Sequence, residues 1–169
     1  MSERFGYFAY GSNMFSRRLR MRTPSALVIS IGFVEGYRLS FDKPSRRDGS
    51  GKCNIRPTNS PADRVYGVLF SILRDEEPAL DKAEGLGKGY EKSQFKVTTS
   101  DGPCFAAAYV GEEANPLLLP YDWYKEFVVR GAIEHKLPAS YVRRLQIIEV
   151  VTDLKDERRR ENEAILNGE

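Results

Sequence analysis

Two short stretches of the chain hold residue types that could do chemistry. The first, Tyr7-Phe8-Ala9-Tyr10-Gly11-Ser12-Asn13, runs an apolar strand into a glycine and two small polar residues. A strand delivered into a Gly-Ser-Asn turn at a helix start leaves backbone N–H groups unpaired and pointing one way. Such a turn accepts a carboxylate or a developing oxyanion. It also reads as a plain strand-to-helix connection, with Ser12 or Asn13 as the helix cap. The second stretch is Glu84-Gly85, at the end of an expected helix. A carboxylate in a last helical turn stands against the macrodipole, an electrostatic setting that suits a general base. On position alone Glu84 could equally be solvated or paired with Lys82, Lys88 or Arg74, and Asp81, three residues earlier, is its local competitor.

The elements that must position these groups follow from the hydrophobic pattern. Residues 4–10 are aromatic-rich and bounded by Gly11, as in a buried strand. A short helix is expected through Arg20, with Phe15 and Leu19 on one face and Arg17, Arg18 and Arg20 toward water, stopped at Thr23-Pro24. Residues 25–34 and 36–42 read as a β-hairpin turning at Glu35-Gly36. The stretch 43–52, all turn formers and basic residues, predicts an exposed, mobile loop that overhangs the site. A short strand follows at 53–56, and residues 64–73 form the most apolar strand, expected to be central. Asp75 is placed as the cap of the helix that ends at Glu84, with Gly85 as its C-terminal stop. Residues 90–99 and 104–110 predict a strand pair around Ser100-Asp101-Gly102-Pro103. Two helices close the chain, one from about Tyr121 to His135 with Tyr124, Phe127, Val128 and Gly131 on its inner stripe, the next opened by Pro138 with Tyr141, Leu145 and Ile148 inward. Strands on both sides of a short helix, then a helical end, break the βαβα alternation of a doubly wound fold. The expected class is α+β: a single domain with a twisted, mixed, barrel-like sheet flanked by helices, spanning residues 1–150, followed by a charged tail at 151–169 that is either a solvated helix or frayed.

Length and composition bound the function. The 169 residues suffice for one core that buries roughly two-thirds of the unfolded surface. The segment 1–4 lacks the basic and apolar regions of a signal peptide, and no apolar run is long enough to span a bilayer, so a cytoplasmic location without membrane association is expected. Cys53 and Cys104 have neither disulfide-framework nor zinc-site spacing, and no metal is expected. A net charge of +2 does not imply a nucleic-acid partner. Two rival readings rest on residues elsewhere. One is a Cys/His hydrolase using His135 with Cys53 or Cys104. The other is an acidic-partner or nucleic-acid module using Arg46, Arg47, Lys52, Arg56 and Arg158 to Arg160.

Taken jointly, YFAYGSN, then GKCNI followed by VYGVLF, then LDKAEG and a downstream GY, resemble the γ-glutamylcyclotransferase family, also described as AIG2-like or BtrG-like. The likeness covers residues 5–135 and leaves the tail outside. It implies intramolecular aminolysis. The α-amino group of a γ-glutamyl compound attacks its own γ-carbonyl, closing 5-oxoproline and expelling an amine, without a cofactor. By the same resemblance Glu84 takes the proton from the attacking ammonium and passes it to the leaving amine. Tyr7, Phe8, Ala9, Tyr10, Gly11, Ser12 and Asn13 would form the substrate loop, with the Gly11 and Ser12 N–H groups on charged oxygens. Tyr90 and Tyr124 would line the cavity. The sequence departs from the family in placing Tyr90 directly after Gly89, and Asn13 stands where glutathione-specific relatives tend to carry leucine. A non-catalytic relative that binds a small ligand or partner is the alternative, and a homodimer is left open.

Overall fold

The computed structural model describes residues 3–169; the first two residues, included above in the expected domain and N-terminal segment, lie outside it. Seven strands and five helices follow in order. Strands β1 (Arg4–Ala9), β5 (Arg64–Leu73), β2 (Leu27–Glu35), β6 (Tyr90–Thr99) and β7 (Gly102–Gly111) close into a barrel in that spatial order. All pairings are antiparallel except the closure, where β1 meets β7 in parallel at Tyr7 and Ala107. Closure explains why the most apolar strand, β5, is central: it is bonded on one side to β1 and on the other to β2. The predicted 90–110 strand pair is present as the β6–β7 hairpin, with Thr99 opposite Gly102 across Ser100-Asp101.

The predicted hairpin of 25–34 with 36–42 does not form. β2 pairs with β5 from Leu27 opposite Ser71 to Glu35 opposite Arg64, while β3 (Tyr37–Pro44) pairs with β4 (Gly51–Pro57) in a separate two-stranded sheet. Gly36, at φ +78°, turns the chain out of the barrel; its N–H donates to the Asp63 carbonyl and its own carbonyl accepts from Thr58. The turn is therefore tied to a later segment, and it changes sheets where a hairpin would fold back on itself. The stretch 43–52 is also tighter than expected. Strand pairing consumes both of its ends, Lys43 and Ser50 are buried, and the Gly51 N–H donates to the Leu119 carbonyl at 3.0 Å.

Helix α1 (Ser16–Arg20) is preceded by a 3₁₀ turn over Ser12–Met14, and neither Ser12 nor Asn13 supplies a capping bond. Likewise a 3₁₀ turn at Arg74–Glu76 leads into α2 (Glu77–Glu84) with no side-chain cap from Asp75. Helix α3 (Asp122–Glu134) lays Phe127, Val128 and Gly131 against the first turn, where a Cβ on Gly131 would lie 2.6 Å from the Met14 carbonyl carbon. Phe8, Phe70, Ile72, Leu80, Val97 and Phe127 are fully buried, and each such side chain contributes about 1.5–3 kcal/mol. Helix α4 (Ala139–Gln146) buries Tyr141 and Leu145 as predicted. The charged tail is neither frayed nor wholly solvated: α5 (Asp156–Asn167) buries Leu166, whose carbonyl accepts from Arg130 of α3.

Candidate active site

The C-terminal end of β1 and the turn after it open into a narrow cleft, partly open to solvent, lined by Tyr7, Tyr10, Gly11, Ser12, Asn13, Cys53, Glu84, Tyr90, Tyr109 and Tyr124. Five elements supply these groups: β1 with its turn, β4, α2, the β6–β7 pair and α3.

Glu84 is placed by its helix stop. Gly85 adopts the left-handed conformation at φ +75°, its N–H donates back to Lys82 at 3.3 Å, and Leu86 donates to Asp81 at 2.9 Å. The helix therefore ends with the Glu84 carboxylate facing the turn at Gly11. Its Oε1 accepts from Asn13 Nδ2 at 2.7 Å and from Arg22 Nη1 at 2.7 Å, while Oε2 has no partner among the described residues. The partner is thus Arg22, not Lys82, Lys88 or Arg74; Arg74 is engaged with Glu77 and Glu3. A guanidinium at this distance offsets the unfavourable placement of a carboxylate at a helix C-terminus.

The turn behaves as the spacing predicts. The Gly11 carbonyl accepts from Met14 and the Ser12 carbonyl from Phe15, but the Gly11 and Ser12 N–H groups have no acceptor among the described residues. Gly11 is closely packed: a Cβ there would lie 3.0 Å from Cys53 Cβ and 3.6 Å from the Tyr124 hydroxyl, so a side chain would have to shift its neighbours by a few tenths of an ångström.

Tyrosines form the walls. The Cys53 N–H donates to the Tyr124 hydroxyl at 3.0 Å, and the Tyr90 hydroxyl donates to the Cys53 carbonyl at 3.3 Å. The Tyr10 hydroxyl donates to the Tyr109 carbonyl, and that of Tyr109 to Asp81 Oδ1 at 2.5 Å. Burial holds the phenols of Tyr7, Tyr10, Tyr90, Tyr109 and Tyr124 well above their ordinary range, so they serve as neutral hydrogen-bonding groups at neutral pH. Glu84 is the one carboxylate among the residues that line the cleft.

Of the residues singled out in the sequence, the structure brings Tyr7, Tyr10, Gly11, Ser12, Asn13, Glu84, Tyr90 and Tyr124 together. Phe8 and Ala9 are not in the cleft. Phe8 is a fully buried core side chain, and a Cβ on Gly67 would touch its ring, because successive strand residues face opposite sides. Arg22, Tyr109 and the backbone of Cys53 were missed. The predicted overhang of the 43–52 stretch holds at two points: Lys43 Nζ lies 4.7 Å from the Tyr90 ring centroid and Lys52 Nζ 4.5 Å from that of Tyr124.

The rival readings find no assembled site. Burial pushes the Cys53 thiol up to about 12, and His135 Nε2 is engaged by Ser16 Oγ and the Met14 carbonyl. The basic residues of the other rival are largely paired, Arg46 with Glu113, Lys52 with Asp48, Arg56 with Asp42 and Arg158 with Asp153. Among the described residues no three His, Cys, Asp or Glu side chains converge as a metal-binding group, and no helix is long and apolar enough to cross a membrane.

Fold and site define a small α+β barrel protein with one carboxylate in a tyrosine-walled cleft. Residues 64–145 match the AIG2-like family. Over 155 residues the chain is 33% identical to γ-glutamylcyclotransferase of Bos taurus, covering 87% of this chain and 80% of the bovine one. The Mus musculus γ-glutamylcyclotransferase is 34% identical over the same shares. A solved structure of a γ-glutamyl cyclotransferase, 28% identical, superposes with a TM-score of 0.85 over 95% of this chain and 99% of that one. The chain belongs to the γ-glutamylcyclotransferase family.

Proposed function

We propose that the protein releases 5-oxoproline and a free amine or amino acid from a γ-glutamyl compound by intramolecular aminolysis, without a cofactor. The observation that carries this reading is that Glu84, whose Oε2 has no partner among the described residues, lines one cleft with Gly11 and Ser12, whose N–H groups have no acceptor among them.

The reaction needs a base, an anion cradle and a folded substrate. Glu84 accepts a proton from the substrate's α-ammonium, and the freed amine attacks the γ-carbonyl carbon. As the C–N bond forms, the carbonyl oxygen becomes an oxyanion and the ring nitrogen gives up a second proton. The bond to the leaving nitrogen then breaks. Two protons leave the α-nitrogen and two reach the departing amine, so the carboxylate is regenerated and no water is consumed. The Gly11 and Ser12 N–H groups hold charged oxygens of the glutamyl part. Proton transfer of this kind contributes about 10² to 10⁴ in rate and one oxyanion donor about 10² to 10³. A close-fitting cleft that folds the amine onto the carbonyl adds the proximity term.

The test is to incubate the protein with a panel of γ-glutamyl amino acids and γ-glutamyl amines and to measure 5-oxoproline. Release by wild type and its loss in Glu84→Gln is the expected result. Equal release by Glu84→Gln would remove Glu84 as the base, and no release from any compound would favour a ligand-binding relative.

A further inference from the structure

The side chain of Asn13 faces the cleft yet has no hydrogen to offer a ligand. It is 3% exposed. One Nδ2 hydrogen goes to Glu84 Oε1 at 2.7 Å and the other to the Tyr7 hydroxyl at 3.0 Å. Its Oδ1 accepts from Arg22 Nη1 at 2.8 Å, and the same Nη1 spends its second hydrogen on Glu84 Oε1 at 2.7 Å. Asn13, Arg22 and Glu84 thus close a triangle in which both Nδ2 hydrogens and both Nη1 hydrogens are committed.

We propose that Asn13 and Arg22 are positioning residues that hold Glu84 through Oε1, leaving Oε2 as the oxygen that exchanges protons with the substrate's nitrogens. The proposal rests on the cyclotransferase reading for its chemistry. It moves Asn13 from the substrate-binding role implied by the family resemblance to one that acts through the glutamate.

Three features support a clamp over an incidental ion pair. A glutamate in the last turn of a helix has free side-chain rotation that costs up to about 2 kcal/mol to arrest, and two charge-assisted or amide bonds to one oxygen arrest it before substrate arrives. The backbone that carries Arg22 is itself fixed: its N–H donates to the Leu19 carbonyl at 2.9 Å, and fully buried Thr23 donates both its N–H and its hydroxyl to the same carbonyl. Finally, the division of labour is asymmetric. Both bonds fall on Oε1, so Oε2 keeps its full acceptor capacity, with no partner among the described residues, on a side chain that lines the cleft.

The test compares Arg22→Ala, Arg22→Lys and Asn13→Ala by kcat and KM for 5-oxoproline release. The expected result is a fall in kcat of about 10²-fold for Arg22→Ala, the scale of an ångström-level misplacement of a catalytic group, with KM within about threefold, and partial recovery in Arg22→Lys. A raised KM with unchanged kcat would make Arg22 a substrate contact and overturn the proposal, as would unchanged kinetics. A second measurement needs no turnover. The shift in urea unfolding midpoint caused by Arg22→Ala is measured in wild type and in Glu84→Ala. It should shrink by more than half in the second background, and equal shifts would show that the clamp is absent. If wild type releases no 5-oxoproline, the functional reading fails while this coupling still decides the contact.

Discussion

Asp81 and Glu84 stand three residues apart on α2, each held through one carboxylate oxygen, but only Glu84 lines the cleft. Asp81 Oδ1 accepts from the Tyr109 hydroxyl at 2.5 Å and Lys92 Nζ at 2.7 Å, whereas Glu84 Oε1 accepts from Asn13 Nδ2 and Arg22 Nη1, each at 2.7 Å. Sequence position alone left the two as competitors. Asp81→Asn is expected to loosen α2 against β6 and β7, lowering stability by about 1–2 kcal/mol and turnover by no more than about tenfold. Glu84→Gln should reduce turnover by about 10² to 10⁴ with the fold intact. Parallel thermal melts and 5-oxoproline assays of the two variants separate these roles, and a larger catalytic loss in Asp81→Asn would reverse the assignment.

Gly11→Ala tests the cradle. The added Cβ meets Cys53 Cβ at 3.0 Å and Sγ at 3.4 Å, so the turn must retreat by a few tenths of an ångström from the β4 side. That displacement moves the Gly11 and Ser12 N–H groups together. A drop in kcat/KM of about 10- to 100-fold is expected, up to the loss of one oxyanion donor, with circular dichroism unchanged. Wild-type kinetics in this variant would show that these N–H groups do not hold substrate.

Much of this architecture is legible in local pattern. Aromatic richness marks β1, the Ser-Asp-Gly-Pro turn marks the β6–β7 hairpin, and Gly85 marks the end of α2, because each is a property of a few adjacent residues. Strand partners are not local. Tyr37, Leu39 and Phe41 alternate correctly for a strand, but nothing in them says that they pair with 51–57 and leave 27–35 to β5. The arginines show the same limit. Arg17, Arg18 and Arg20 were all assigned to water by helical spacing, yet the Arg18 guanidinium lies 4.4 Å over the Phe127 ring and donates to Asn162 of α5, a helix more than a hundred residues away. Arg22 stood beside the helix stop with no motif around it, and its partners are at positions 13 and 84. Tyr109 was hidden in an alanine-rich strand for the same reason. The glutamate that lines the cleft was readable from its helix stop, whereas the groups bonded to it arrive by tertiary contact.

The buried thiol offers a separate check on the hydrolase rival. Burial raises the Cys53 thiol to about 12, so at pH 8 it is almost wholly protonated and shielded. In a Cys104→Ser background, iodoacetamide at pH 8 should leave 5-oxoproline release intact and Cys53 unlabelled by mass spectrometry, with labelling appearing only in urea. Rapid labelling with loss of activity would mean that the thiol is accessible and the cleft more open than described.

The tail reaches the site through Asp153. Its buried carboxylate receives Trp123 Nε1 at 2.9 Å, the Lys155 N–H at 3.0 Å and two Arg158 nitrogens at 2.6 Å, and Trp123 packs edge-on against Tyr124 of the cleft. The Arg158 bonds are the main cause that holds the Asp153 carboxyl well below the usual carboxylate range. Because the folded value lies below the unfolded one, about 3.9, the stabilisation is complete above the unfolded value and is lost as pH falls from about 4 toward the folded one. Asp153→Asn leaves Arg158 without its charge partner and should cost about 2–4 kcal/mol at pH 7. The gap between wild type and variant should then narrow as urea denaturation is repeated at falling pH, from about pH 5 to pH 2. If Trp123 carries the effect to the cleft, the variant also raises KM, since the Tyr124 wall loses its backing. A stability gap that stays constant down to pH 2 would show that Asp153 is not ionised in this network, and a variant with wild-type stability at pH 7 would uncouple the tail from the barrel.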